Sequence, residues 1–124
     1  MFTHFVLGSN DIRRSRMFYD ATIAALGHEV SAAPDLQRLI YANNEGTLII
    51  GTPANGEPAS AANGATLGFA AKRDADVDAW HAAGMANGGA NEGEPGNRIY
   101  SPGNSYGAYL RDPDGNKLCC FNLR

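Results

Sequence analysis

The sequence predicts an α+β protein of two βαβββ halves joined by a linker, and three observations predict it. Strand-like and helix-like segments follow each other in the same order twice along the 124 residues. Each helix-like segment runs into glycine, Gly27 in the first half and Gly88 with Gly89 in the second, where a left-handed closing residue belongs. Between the halves, residues 52–64 (TPANGEPASAANG) have no periodicity and are rich in Gly, Pro, Ala and Asn. Residues 1–124 are therefore expected to form one domain, with a first module at 1–51, a linker at 52–64 and a second module at 65–124. The two halves share almost no identity, so the repeat rests on element order.

The first module opens with an apolar, β-prone segment at 2–8. Asn10 is the expected N-cap of a helix reaching about residue 26, in which Ile12, Ser15, Tyr19, Ile23 and Leu26 recur at helical spacing. A strand near 28–31, a break at Pro34 and Asp35, a strand at 36–42, a turn at 43–46 and a strand at 47–51 complete it. In the second module, 65–71 reads as a strand and 75–87 as a helix with Val77, Trp80, His81 and Met85 on its inner stripe. Two prolines and several glycines in 88–105 predict a short strand beside a long loop. A strand at 106–111, the Asp112-Pro113-Asp114-Gly115 turn and a strand at 116–122 close the chain. A sheet buries one face under its helix, so the other faces of two such modules, a curved mixed sheet, would enclose a cavity.

Composition narrows the function. The formal net charge of −3 and the lack of a basic run argue against nucleic acid as a partner. No apolar segment approaches the roughly 20 residues a membrane span requires, so no membrane partner is expected. The start, MFTHFVLGSND, reads as a strand rather than a signal peptide. Cys119 and Cys120 are adjacent; neighbouring strand residues point to opposite faces, so the two cannot easily bond each other. Free thiols point to a reducing compartment, the cytoplasm. Phosphate-loop, Gly-x-Ser-x-Gly and paired Cys-x-x-Cys motifs are all missing from the sequence.

The run 106–118 (YGAYLRDPDGNKL) resembles the last hairpin of the glyoxalase/bleomycin-resistance/dioxygenase (vicinal oxygen chelate) superfamily. The opening is similar to that family too, with His4 in the first strand, the Asp11-Ile12 pair and a helix carrying Phe18-Tyr19. The stretch 63–71 (NGATLGFAA) resembles the start of its second module, so the likeness spans most of the chain. It implies paired cups around a cavity and a homodimer. Metal-dependent relatives hold a divalent ion (Zn, Ni, Fe or Mn) on His and Glu at four converging positions. Carried over, those positions are His4, Ile50, Thr66 and Cys119. Ile50 has no donor atom and Thr66 is a poor one, so three of the four positions depart from the family's pattern and no cofactor is expected. The alternative keeps a divalent metal at an altered site.

Beside the resemblance stand the residues' own readings. His4 is a ligand or proton-transfer group, or an ordinary wall residue inherited with the fold. Cys119 is a thiol that Lys117, two residues away on the same strand face, could activate, or simply a packed side chain. Cys120 points the other way and should pack under a helix. Tyr41 and Tyr106 are candidates for the pocket wall, and Arg38 for an anionic ligand group. Trp80 and Met85 read as core, His81 as a boundary residue, and His28 as a cation at a helix C-terminus. Pro102, Gly103 and Asn104 suggest a loop at the cavity mouth. The expected ligand-binding set is therefore His4, Arg38, Tyr41, Ile50, Thr66, Tyr106 and Cys119. The first functional reading is a metal-free binder of a small molecule in an apolar cavity, as in the bleomycin-resistance branch. The second is a glyoxalase-like lyase (of the lactoylglutathione-lyase type), isomerase or dioxygenase with an altered metal site, or using Cys119 and His4 as catalytic groups directly.

Overall fold

In a computed structural model of the chain, residues 1–30, 37–99 and 104–123 are described. The elements run β1 (His4–Gly8), α1 (Ile12–Ala25), β2 (Arg38–Asn43), β3 (Gly46–Gly51), β4 (Leu67–Ala70), α2 (Asp74–Ala86), β5 (Ala90–Arg98), β6 (Ser105–Arg111) and β7 (Lys117–Asn122). The second module is β-α-β-β-β. His28, Glu29 and Val30 carry no strand, and the remainder of the segment expected to hold one lies outside the described residues. The proposed Pro34–Asp35 break and most of the Pro102–Asn104 loop lie outside them as well.

Both sheets are mixed and share one plan. The second has the order β4-β7-β6-β5, with β4 parallel to β7 and the other pairs antiparallel. The first has the order β1-β3-β2, with β1 parallel to β3. Among the described residues it repeats the second sheet without the outermost strand. The fold is thus α+β, of the paired βαβββ type.

Local chemistry sets the helix ends. Asp11, not Asn10, caps α1: its carboxylate accepts from the Arg14 backbone N–H at 3.1 Å. Asn10 is taken elsewhere, its side-chain amide holding both the C=O and the N–H of Ala59. At the other end, the Gly27 N–H reaches Ala24 O and the His28 N–H reaches Ile23 O, with Gly27 at φ +84°. This 5→2 and 6→1 pair satisfies carbonyls the helix cannot.

α1 and α2 cover the same side of the molecule. Phe18, Tyr19 and Ile23 from α1 and Val77 and Trp80 from α2 join one buried cluster with Leu39, Leu48, Ile50, Ala108, Leu110, Leu118 and Cys120 from the sheets. Met85 departs from the expected stripe and is 44% exposed, whereas Gly84 is the buried residue of that turn. His81 is buried, its Nε2 2.9 Å from Asn91 Oδ1.

β5 is nine residues long where a short strand was expected. It lies at the sheet edge, where Pro95 need not donate to a neighbour, and its pairing with β6 shifts register between Asn91 and Gly93 and again before Gly96.

A buried polar cluster ties the β6–β7 turn to α1. Asp112 accepts from the Tyr19 hydroxyl at 2.5 Å, from the backbone N–H groups of Asp114 and Asn116 at 2.9 Å each, and from the Asn116 side chain at 2.8 Å. Asp114 accepts from the Asn10 N–H at 2.9 Å, the Arg14 guanidinium at 3.0 Å and the Ser15 hydroxyl at 3.2 Å. The two aspartates of the turn signature are therefore structural anchors, fully engaged with the start of the first helix.

Candidate ligand-binding site

Strand alternation and register divide each sheet into a helix-covered face and an open face. In the first sheet Leu39, Tyr41, Leu48 and Ile50 are buried against the helices, and Leu7 joins them in register with Ile50. The open face therefore carries His4 and Val6 from β1, Arg38, Ile40 and Ala42 from β2, and Thr47 and Ile49 from β3. In the second sheet Leu67, Phe69, Tyr106, Ala108, Leu110, Leu118 and Cys120 pack on the core. Lys117, Cys119 and Phe121 share the open face with Tyr109 and Gly107, their partners or near neighbours in β6, and with Gly68 of β4.

This division corrects three expected pocket residues. Ile50 is wholly buried on the covered face, one residue out of phase with the open face that Ile49 occupies. Tyr41 is also on the covered face, its hydroxyl donating to Asp20 of α1 at 2.7 Å; burial and that carboxylate push its ionisation well above the usual tyrosine range. Tyr106 turns toward α2 and donates to Asp78 at 2.7 Å. The other expected residues are placed as follows. Arg38 and His4 lie on the first open face and are exposed, with His4 Nδ1 2.8 Å from the Thr3 hydroxyl. Thr66 is exposed just ahead of β4, and Cys119 is half-buried on the second open face.

The residue that the sequence reading missed is Tyr109. It pairs directly with Cys119, stands edge-on to Phe121 at 5.7 Å between ring centroids, and has two cations beside its ring. The Lys117 ammonium is 5.3 Å and the Arg98 guanidinium carbon 6.0 Å from its centroid. The signal was parity: Tyr106 and Tyr109 are three apart on one strand, so only one can share a face with Cys119.

Cys119 is a poor nucleophile as placed. Burial pushes its thiol above the ordinary value, and the Lys117 charge offsets that only in part. Among the described residues no three His, Cys, Asp or Glu side chains converge to hold a metal ion. The four positions carried over from metal-dependent relatives do not form a donor set, because Ile50 lacks a donor atom and faces the core. A cleft of about 200 Å³ opens between β1 and the start of β4, lined by Phe5, Val6, Ala65, Leu67 and Lys117 among others.

Two helix-backed mixed sheets with open faces and a cleft between their edges define a cup protein of the paired βαβββ class. Residues 2–120 match the Glyoxalase/Bleomycin resistance protein/Dioxygenase superfamily, and the chain belongs to it. A glyoxalase/bleomycin resistance protein from Albidiferax ferrireducens T118 is 48% identical, with a TM-score of 0.93 and 99% of each chain covered. A glyoxalase-related enzyme from Fulvimarina pelagi shares the fold at 17% identity and a TM-score of 0.79, over 99% of this chain and 88% of that one. A lactoylglutathione lyase from Agrobacterium tumefaciens does so at 23% identity and a TM-score of 0.67, over 98% and 92%. No protein of curated function matches. No helix among the described residues is long and apolar enough to cross a membrane.

Proposed function

We propose that this protein binds a small molecule on its open faces without the divalent metal of its metal-dependent relatives. The observation that carries the reading is the pairing of open sheet faces with few donor atoms at the carried-over positions: apolar and aromatic side chains (Val6, Ile40, Ile49, Tyr109) populate the open faces, while Ile50 lies in the core. Such a surface offers contact area and a few polar handles, His4, Arg38, Thr66 and Cys119, rather than a Lewis acid. The lyase-type alternative draws on the likeness to the Agrobacterium enzyme, which at 23% identity speaks for fold alone.

A thermal-shift screen over metabolites, thiols and aromatic compounds tests this. A ligand at 100 times its dissociation constant adds about 2.7 kcal/mol of stability, which a melting curve registers readily. Elemental analysis after incubation with Zn, Ni, Mn and Fe is the second arm. Stoichiometric metal that disappears in His4→Ala would overturn the metal-free reading. The reading also includes a pair of chains, supported by Val6 at 57% and Ile40 at 37% exposure on the first open face. Sedimentation equilibrium giving the mass of one chain would remove that part.

A further inference from the structure

The small-molecule reading leaves the ligand's charge open, and the second module's open face speaks to it. The chain carries 13 acidic residues against 10 Lys and Arg, so a basic side chain on it ordinarily finds an acid. Arg14, Arg16, Arg73 and Arg111 do so, each in an ion pair. Arg98 and Lys117, both half-buried, form no such pair among the described residues, yet both lie beside one ring. The two charges thus lie no farther apart than their two distances to Tyr109 taken together. Glu92 is the carboxylate that feels Lys117, and it is committed to Arg111 at 3.1 Å.

Arg98 is held in place by its surroundings. Its guanidinium donates to the Glu94 carbonyl at 2.6 Å and the Asn97 carbonyl at 3.4 Å, two neutral acceptors for a group with five N–H donors. It lies across a lane that β5 keeps bare. A Cβ on Gly96 would come 3.2 Å from one terminal nitrogen, and a Cβ on Gly93 would come 3.4 Å from the other and 3.1 Å from the Tyr109 ring. The glycines that made β5 illegible as a strand are those that let the guanidinium reach the ring.

We propose that this face binds a planar carboxylate, its anionic group beside Arg98 and Lys117 and its planar part against Tyr109, which the buried Phe121 ring backs. The inference rests on the small-molecule reading. Two like charges with no ion pair of their own among the described residues disfavour each other, and one anion beside both offsets that while gaining attraction from each. A pinned guanidinium loses little freedom on binding a carboxylate, which favours a fixed orientation. Tyr109, held edge-on by Phe121, supplies an aromatic surface beside the charge.

Benzoate and benzyl alcohol, which share a ring and differ in charge, are the probes. Backbone amide shifts at Tyr109 and Cys119 are followed by NMR through a titration of the intact chain with each. The expected result is benzoate binding about tenfold tighter or more, the effect of one charge-assisted hydrogen bond. That preference should fall toward parity in Arg98→Gln and in Lys117→Gln and persist in Arg13→Gln, a change on the exposed side of α1. Equal affinity for the two probes in the unmutated protein, or a benzoate preference that survives both glutamine variants, overturns the carboxylate assignment. In either case binding of the ring leaves the small-molecule reading intact. If neither probe shifts these amides at millimolar concentration, the assignment is also wrong, and the metabolite screen judges the broader reading separately.

Discussion

Cys119 and Cys120 are neighbours in β7 yet lie in different surroundings, because alternation sends one to the open face and the other into the core. Burial pushes the Cys120 thiol up to about 12 from an ordinary 9.0. An unfolded chain would release that proton near 9, whereas the folded chain holds it, so the associated stability is present below pH 9 and is lost as pH rises toward 12. Urea unfolding at stepped pH should show the unmutated protein weakening through this range and Cys120→Ala weakening less steeply. Tyr19 and Tyr41, both raised chiefly by burial, act in the same direction at higher pH in both proteins. Ile50 has a different test. As a wholly buried side chain it should cost about 3 kcal/mol on truncation to Ala, within the usual 2–5 range, and leave the benzoate titration unchanged. A changed titration with little loss of stability would return Ile50 to the open face.

At the scale of elements, packing at one glycine decides how β6 and β7 fit. A Cβ on Gly107 would lie inside contact distance of the Phe121 ring, on the face where Phe121 meets Tyr109. Gly107→Ala should therefore destabilise by about 1–3 kcal/mol, read as a lower urea midpoint at unchanged slope. It should also weaken ligand binding by displacing the aromatic pair. The two helices and the last hairpin were legible in the sequence because each carries its own punctuation: helical spacing, closing glycines and the Asp-Pro-Asp-Gly turn. β5 was not, since its inward positions are glycines and its regularity resides in pairing with β6 rather than in side-chain pattern. The facing of β2 and β3 was missed for another reason. Leu48, Ile49 and Ile50 form a continuous apolar run, which period-two reading cannot orient. Parity alone would have helped: Arg38 and Tyr41 are three apart on one strand and cannot share a face.

Across the whole molecule, the β6–β7 turn is the point where the two modules are joined by buried polar contacts. Asp112→Ala would strip the Tyr19 hydroxyl and the Asn116 side chain of a shared acceptor inside the fold. The expected loss is about 3 kcal/mol or more, since four donors lose this acceptor at once, whereas Arg14→Ala at the exposed rim should cost under about 1 kcal/mol. Equal losses in the two variants, measured by chemical denaturation, would show that the buried cluster holds nothing together. The same anchoring has a temporal side. Tyr19, Ser15 and Asn10 find their acceptors 93 to 104 residues farther along the polypeptide. During synthesis on a ribosome, the first helix and its approach must wait for their carboxylates until residue 114 has emerged. Contacts of such long sequence separation slow folding, so the nascent first module is exposed to proteases and chaperones while the second is being made.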